Sequence, residues 1–164
     1  MPSGHRRAAF TLLEVVIVLV ILAILSTLAV MSLSGTMNRY RISRAVETVE
    51  RFDAIARRQA SHQRVSLNAT IDLSRHRLKI ESPLASRNRV FALPGGVKIN
   101  RVRFPRQAAV GRELDIPFTD DGISPTYALE LSRGDLSHWM IILGASGQVV
   151  HFDREEEIDE ILSL

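Results

Sequence analysis

From Val15 to Leu33 the chain runs for 19 residues without a charge, a proline or a glycine. Only Ser26, Thr27 and Ser32 interrupt the apolar side chains. As a helix rising about 1.5 Å per residue, the run reaches roughly 28 Å, close to the hydrocarbon thickness of a bilayer. A helix apolar on every side is expected to be covered on every side, by lipid or by other apolar helices. At the front edge stands a carboxylate, Glu14. An acid costs on the order of 2.5–3.5 kcal/mol at a membrane-helix centre and less near the interface, a cost normally offset by a partner.

Ahead of this run lies a short positive leader, Met1–Ala9 (MPSGHRRAA). Arg6 and Arg7 are expected to stay on the cytoplasmic side, sending the C-terminal bulk across the membrane. The formal charge of the whole chain is +3, and without the leader's two arginines it falls to +1. The basic balance is therefore a poor argument for a nucleic-acid partner. The absence of Cys rules out disulfides, thiolate nucleophiles and Cys-ligated metals. The 164 residues leave room for one modest globular domain beyond the apolar run.

Three processing schemes suit such a start. A secretory signal would be cut after the apolar run, where Thr27-Leu28-Ala29 offers small residues. A twin-arginine signal matches Arg6-Arg7, but the aromatic and the leucines come one place late. The third is an anchor clipped on the cytoplasmic side. The order of basic leader, small residue, Phe10-Thr11-Leu12-Leu13-Glu14 and apolar run favours this third scheme. It resembles the N-terminal cleavage and methylation motif of type IV prepilins and pseudopilins. The resemblance implies a prepilin peptidase that cuts between Ala9 and Phe10, followed by N-methylation of Phe10. Ala9 stands where that family has Gly. The partners implied are that peptidase, other major and minor pseudopilins and an inner-membrane assembly platform. The location implied is the bacterial inner membrane, crossed once, with the C-terminal domain in the periplasm. Among stacked apolar helices Glu14 would be tolerable only if paired, and the free amine of Phe10 is the obvious cation. That pairing would set axial register.

Downstream the helical period continues through Ile42, Val46, Val49, Phe52 and Ile55/Ala56, with Arg39, Arg41, Arg44, Glu47, Glu50, Arg51, Asp53, Arg57 and Arg58 assigned to the solvent side. A single helix from about Thr11 to about Ala60 is expected, with Glu47–Arg51 as an i,i+4 ion pair. From Gln63 the period changes to two. Val65–Ile71, Leu78–Ile80, Val97–Phe104, Leu114–Phe118, Tyr127–Leu131, Trp139–Leu143 and Val149–Phe152 read as seven or so strands separated by turn signals. The fold class expected is α+β, a long N-terminal helix packed on an antiparallel sheet domain as in pilins. Its segments are a leader (1–9), a transmembrane or filament-core helix (10–33), an amphipathic continuation (34–62), a β-rich domain (63–152) and an acidic tail (153–164), a short amphipathic helix through Ile158, Ile161 and Leu162.

The segments AIARRQAS, LPGGVKI, FTDDG, YALELS and WMIILGASGQVVHF are similar to the periplasmic domain of the type II secretion minor pseudopilin H, a domain shared with a related minor pilin. The resemblance implies a structural subunit, with no enzymatic activity and no cofactor, in a pseudopilus that helps export folded proteins across the outer membrane. A minor pilin in pilus assembly or DNA uptake, and a membrane-tethered binding module of another kind, are the alternatives. No chemistry stands out against this. The five His residues (5, 62, 76, 138, 151) form no ligand pair on one expected element. Asp120-Asp121-Gly122 reads as a turn, with too few oxygens for Ca²⁺. No metal site is expected. Arg87, Arg89, Arg101, Arg103 and Arg106 are the candidate anion surface, and Arg101 and Arg103, on one strand face, could contact phosphates. No aromatic is interleaved for base stacking, and the acidic tail would compete, so nucleic acid is an unlikely partner.

Overall fold

A computed structural model describes residues 11–81, 88–105, 107–108, 111–152 and 154–162; the side chains of 29–34, 107–108 and 159–160 lie outside that description. The chain falls into two units, Met1–Met37 and Asn38–Leu164. Helix α1 (Leu12–Gln63) is continuous in secondary structure, Gly35 included. Thr11 opens it as an N-cap, its Oγ1 accepting from the Glu14 N–H at 3.3 Å, which places Glu14 at the third helical position of a T-x-x-E sequence. Within the first unit the described apolar side chains are exposed, Leu12 through Leu28 included. Among the described residues no helix is long and apolar enough to cross a membrane. Part of the expected span, residues 29–33, belongs to the side chains not described.

In the second unit α1 is amphipathic. Ala45, Val49, Phe52, Ala56 and Ala60 are fully buried at three- and four-residue steps, with Ile42 at the edge. The helix ends where Arg64 turns left-handed (φ 54°) and the Val65 N–H reaches back to the Ala60 carbonyl at 3.2 Å. Nine strands follow among the described residues, in two antiparallel sheets rather than one. β1 (Leu67–Asp72), β2 (Arg77–Glu81), β3 (Arg89–Ala92) and β6 (Glu113–Phe118) form the first, in the order β3-β2-β1-β6. β4 (Lys98–Phe104), β5 (Gln107–Ala108), β7 (Tyr127–Arg133), β8 (Leu136–Ile142) and β9 (Val149–Phe152) form the second, in the order β5-β4-β7-β8-β9. β3 and β5 were not expected from periodicity; each is short, and β3 is largely exposed.

One core joins α1 to both sheets: Val49, Phe52 and Ala56 share it with Ile71, Leu78 and Ile116 of the first and Ile99, Leu129 and Met140 of the second. Phe52 meets Phe91 of β3 edge to face at 5.8 Å between ring centroids. A second cluster lies on the other face of the second sheet, where Ala128, Trp139 and Ile141 are covered by Ile158 and Leu162 of α2 (Glu155–Leu162). This explains the unbroken apolar run of β8: Met140 and Ile142 face α1, while Trp139 and Ile141 face α2. Ile161, assigned to the apolar side of the tail from its spacing, is 38% exposed.

Candidate functional site

The polar centre of the second unit is built on Asp53 and Arg57, one turn apart on α1. Sequence spacing placed both in solvent. The structure corrects this: Asp53 is 2% exposed, and the Arg57 side chain is largely covered. Arg57 Nε donates to Asp53 Oδ2 at 2.6 Å. Its Nη1 donates to the carbonyls of Gly122 (3.0 Å) and Gly144 (2.6 Å), and its Nη2 to Ser124 Oγ (2.9 Å) and the Leu143 carbonyl (3.3 Å). Tyr127 of β7 donates its hydroxyl to Asp53 Oδ1 at 3.0 Å. Burial, then the negative charge of Asp53, pushes the Tyr127 phenol well above its ordinary value, so it stays a donor. The guanidinium also lies over the Phe118 ring, 5.5 Å from its centroid.

The two loops held by Arg57 are shaped to meet it. Gly144 has no room for a side chain: a Cβ there would lie 1.9 Å from the Ser124 carbonyl oxygen. Gly147 (φ 72°) brings its backbone against the Arg57 side chain, and a Cβ would stand 2.7 Å from Nε. Every N–H group of the fork that these contacts use ends on protein, so the cluster reads as a clamp rather than a ligand site. Besides Asp53 and Ser124, its parts come from AIARRQAS on α1 and from FTDDG, YALELS and WMIILGASGQVVHF more than 50 residues further on, which meet around one side chain. The signal available in the sequence was the glycine-flanked loops; the arginine that binds them had none.

Of the other candidates, Ala9 and Phe10 lie outside the described residues, as do Arg87 and Arg106. Glu14 is exposed in the first turn of α1. Arg101 and Arg103 share a strand face, as expected, but are engaged within the chain. Arg101 bonds Glu130 (3.0 Å) and Glu155 (2.6 Å) and stacks over Trp139 at 5.2 Å, and Arg103 reaches Glu155 at 3.3 Å. The Glu130 carboxylate, first by hydrogen bonding, raises the Arg101 pKa further above its ordinary value. Their charge thus fastens α2 to the second sheet. Glu47 pairs with Arg44 at 2.9 Å and not with Arg51. Asp120-Asp121-Gly122 forms a turn closed by Gly122 N–H to the Thr119 carbonyl at 2.8 Å. No group of three or more His, Asp or Glu side chains able to hold a metal is gathered among the described residues.

Residues 4–30 match the family model of the prokaryotic N-terminal methylation motif. The matched stretch takes in Phe10 and Glu14. Among solved structures it is similar to the type IV minor pilin FimU of Pseudomonas aeruginosa (strain PAO1), at 17% identity over 66% of this chain and 87% of that one, with a TM-score of 0.43. No curated protein matches it.

Proposed function

We propose that this chain is a minor pseudopilin, a structural subunit of a type II secretion pseudopilus that helps export folded proteins across the outer membrane. It waits in the bacterial inner membrane as a single-pass protein with residues 38–164 in the periplasm. Prepilin peptidase cuts between Ala9 and Phe10, Phe10 is N-methylated, and the apolar helix passes from lipid into a filament with other major and minor pseudopilins on the inner-membrane assembly platform. The observation that carries this reading is the methylation motif over residues 4–30, with Phe10 and Glu14 at the head of an apolar helix. The secretion-type assignment rests on the resemblance of the segments AIARRQAS, LPGGVKI, FTDDG, YALELS and WMIILGASGQVVHF to pseudopilin H.

The Thr11 hydroxyl caps the helix start through the Glu14 N–H, which leaves the Glu14 carboxylate for the filament, where it pairs with a Phe10 amine, so that a one-residue slip leaves both charges unpaired in an apolar medium. Mass spectrometry of the mature chain is expected to find methylated Phe10 at its start; an intact Met1 overturns the scheme. Glu14→Ala is expected to insert into the membrane and fail to assemble, whereas full complementation of a null strain removes the register role. Loss of the gene is expected to stop secretion and leave pili intact, and the reverse phenotype assigns the chain to a pilus.

A further inference from the structure

His138 and His151 are 13 residues apart and lie on different strands, yet their rings face each other. In the antiparallel register of β8 with β9, His151 stands opposite Met140, so His138 is its diagonal neighbour on the face turned toward α1. His138 Nε2 is 3.2 Å from His151 Nδ1. On the far side of the His151 ring, Nε2 lies 3.4 Å from the Glu50 carboxylate of α1. The three residues form a row across β8, β9 and α1, all within the second unit.

We propose that His138 Nε2 and His151 Nδ1 bind a divalent first-row cation of the Zn²⁺ type, with Glu50 as the residue that orients His151. Two imidazole nitrogens on one tetrahedral zinc, each at about 2.0–2.1 Å, stand roughly 3.3–3.4 Å apart. The observed 3.2 Å needs almost no movement to reach that spacing. The carboxylate fixes the tautomer: a proton held on Nε2 toward Glu50 leaves the Nδ1 lone pair directed at the gap between the rings. Zinc-bound histidines usually show this order of carboxylate, imidazole and metal, because the carboxylate holds the ring in place and raises its basicity. Nitrogen ligands without thiolate favour zinc, nickel and copper over calcium or magnesium. The His151 and Glu50 side chains are 43% and 39% exposed, so an ion has access and water can fill the other positions. Bound there, the cation ties the edge strand β9 to β8 and, through Glu50, to α1.

The test is Zn²⁺ titration of the full chain in detergent, read by equilibrium dialysis and by the imidazole ¹⁵N resonances. One site is expected, with the His138 and His151 resonances shifting together and affinity falling on acidification as protons compete for the nitrogens. His138→Ala and His151→Ala are each expected to weaken binding at least about 10-fold, and Glu50→Gln by roughly 10-fold. His62→Ala, on another part of α1, is expected to leave it unchanged. Zn²⁺ that leaves the two resonances in place, or binds His138→Ala as tightly as the natural chain, overturns the proposal. The resonance measurement needs no variant, so it decides the matter even where a substituted chain fails to fold.

Discussion

The two ends of α1 are built from similar apolar residues and meet opposite fates. Leu19 and Leu28 are each 60% exposed, while Val49 and Phe52 are wholly buried. The more apolar end is thus the one whose described side chains stand exposed. An exposed apolar surface of that extent marks a partner or a membrane rather than a core. The less apolar end, alternating with charge, finds its cover in the two sheets of the same chain. Hydrophobicity along a helix therefore measures how much cover is needed, and its period says whether one side or all sides need it.

The largest effect comes from placing the same charge at the two ends. Val49→Asp puts an unpaired carboxylate in the core and is expected to destabilise the second unit by at least about 5 kcal/mol, enough to prevent folding. Val18→Asp, in the uncovered run, is expected to leave the denaturation of that unit within about 0.5 kcal/mol of the natural chain while reducing membrane retention. Circular dichroism and membrane fractionation read the two outcomes. Equal damage to folding by both substitutions breaks the contrast.

Next comes the polar centre. Arg57→Met leaves Asp53 buried without its cation and is expected to cost about 3–5 kcal/mol, read as a lower denaturant midpoint at constant slope. Adding Asp53→Leu is expected to restore much of that loss, since the cost lies mainly in the stranded charge. If the two losses simply add, Asp53 and Arg57 do not act as a unit.

The smallest effect sharpens the comparison at a turn. Asp72 is 1% exposed, and its Oδ1 accepts from Ser74 Oγ (2.6 Å) and from the N–H groups of Ser74 (3.0 Å) and Arg75 (2.9 Å). Ser74 above all lowers its pKa from the ordinary 3.8. A carboxyl depressed in the folded state stabilises fully above the unfolded value and loses that contribution as pH falls through the folded one. Asp72→Asn is therefore expected to be less stable than the natural chain at neutral pH, with the two curves converging below pH 3.8. Denaturation across acid pH checks it; a constant gap removes the ionic share.

How much of this was legible beforehand varies with the kind of order involved. Leu114–Phe118 could be read directly, because a strand with one buried face repeats every two residues, and Leu67–Ile71 and Tyr127–Leu131 carry the same apolar alternation in sequence although Thr70, Ala128 and Glu130 on their other faces are buried too. The start of α1 and its length were also readable, since no proline interrupts it and Thr11 supplies a cap. The Phe10–Glu14 motif was readable as well, being local. What periodicity could not show was the burial of Asp53 and Arg57. Charged residues beside an apolar stripe look alike whether they meet water or the carbonyls of Gly122 and Gly144. The meeting of His138 with His151 had the same obscurity, because cross-strand register is set by pairing over the whole sheet.

By itself, then, the sequence determined the elements: an apolar helical run, an amphipathic continuation, short strands and an acidic tail. These follow from side-chain period and composition, which act over one or two turns. Only the tertiary structure decided that the strands divide into two sheets around one helix face, that Arg57 closes two loops, and that Arg101 and Arg103 spend their charge on Glu130 and Glu155. The reason is electrostatic. The fate of a charge depends on what stands opposite it, and the residues opposite these arginines come from distant parts of the chain.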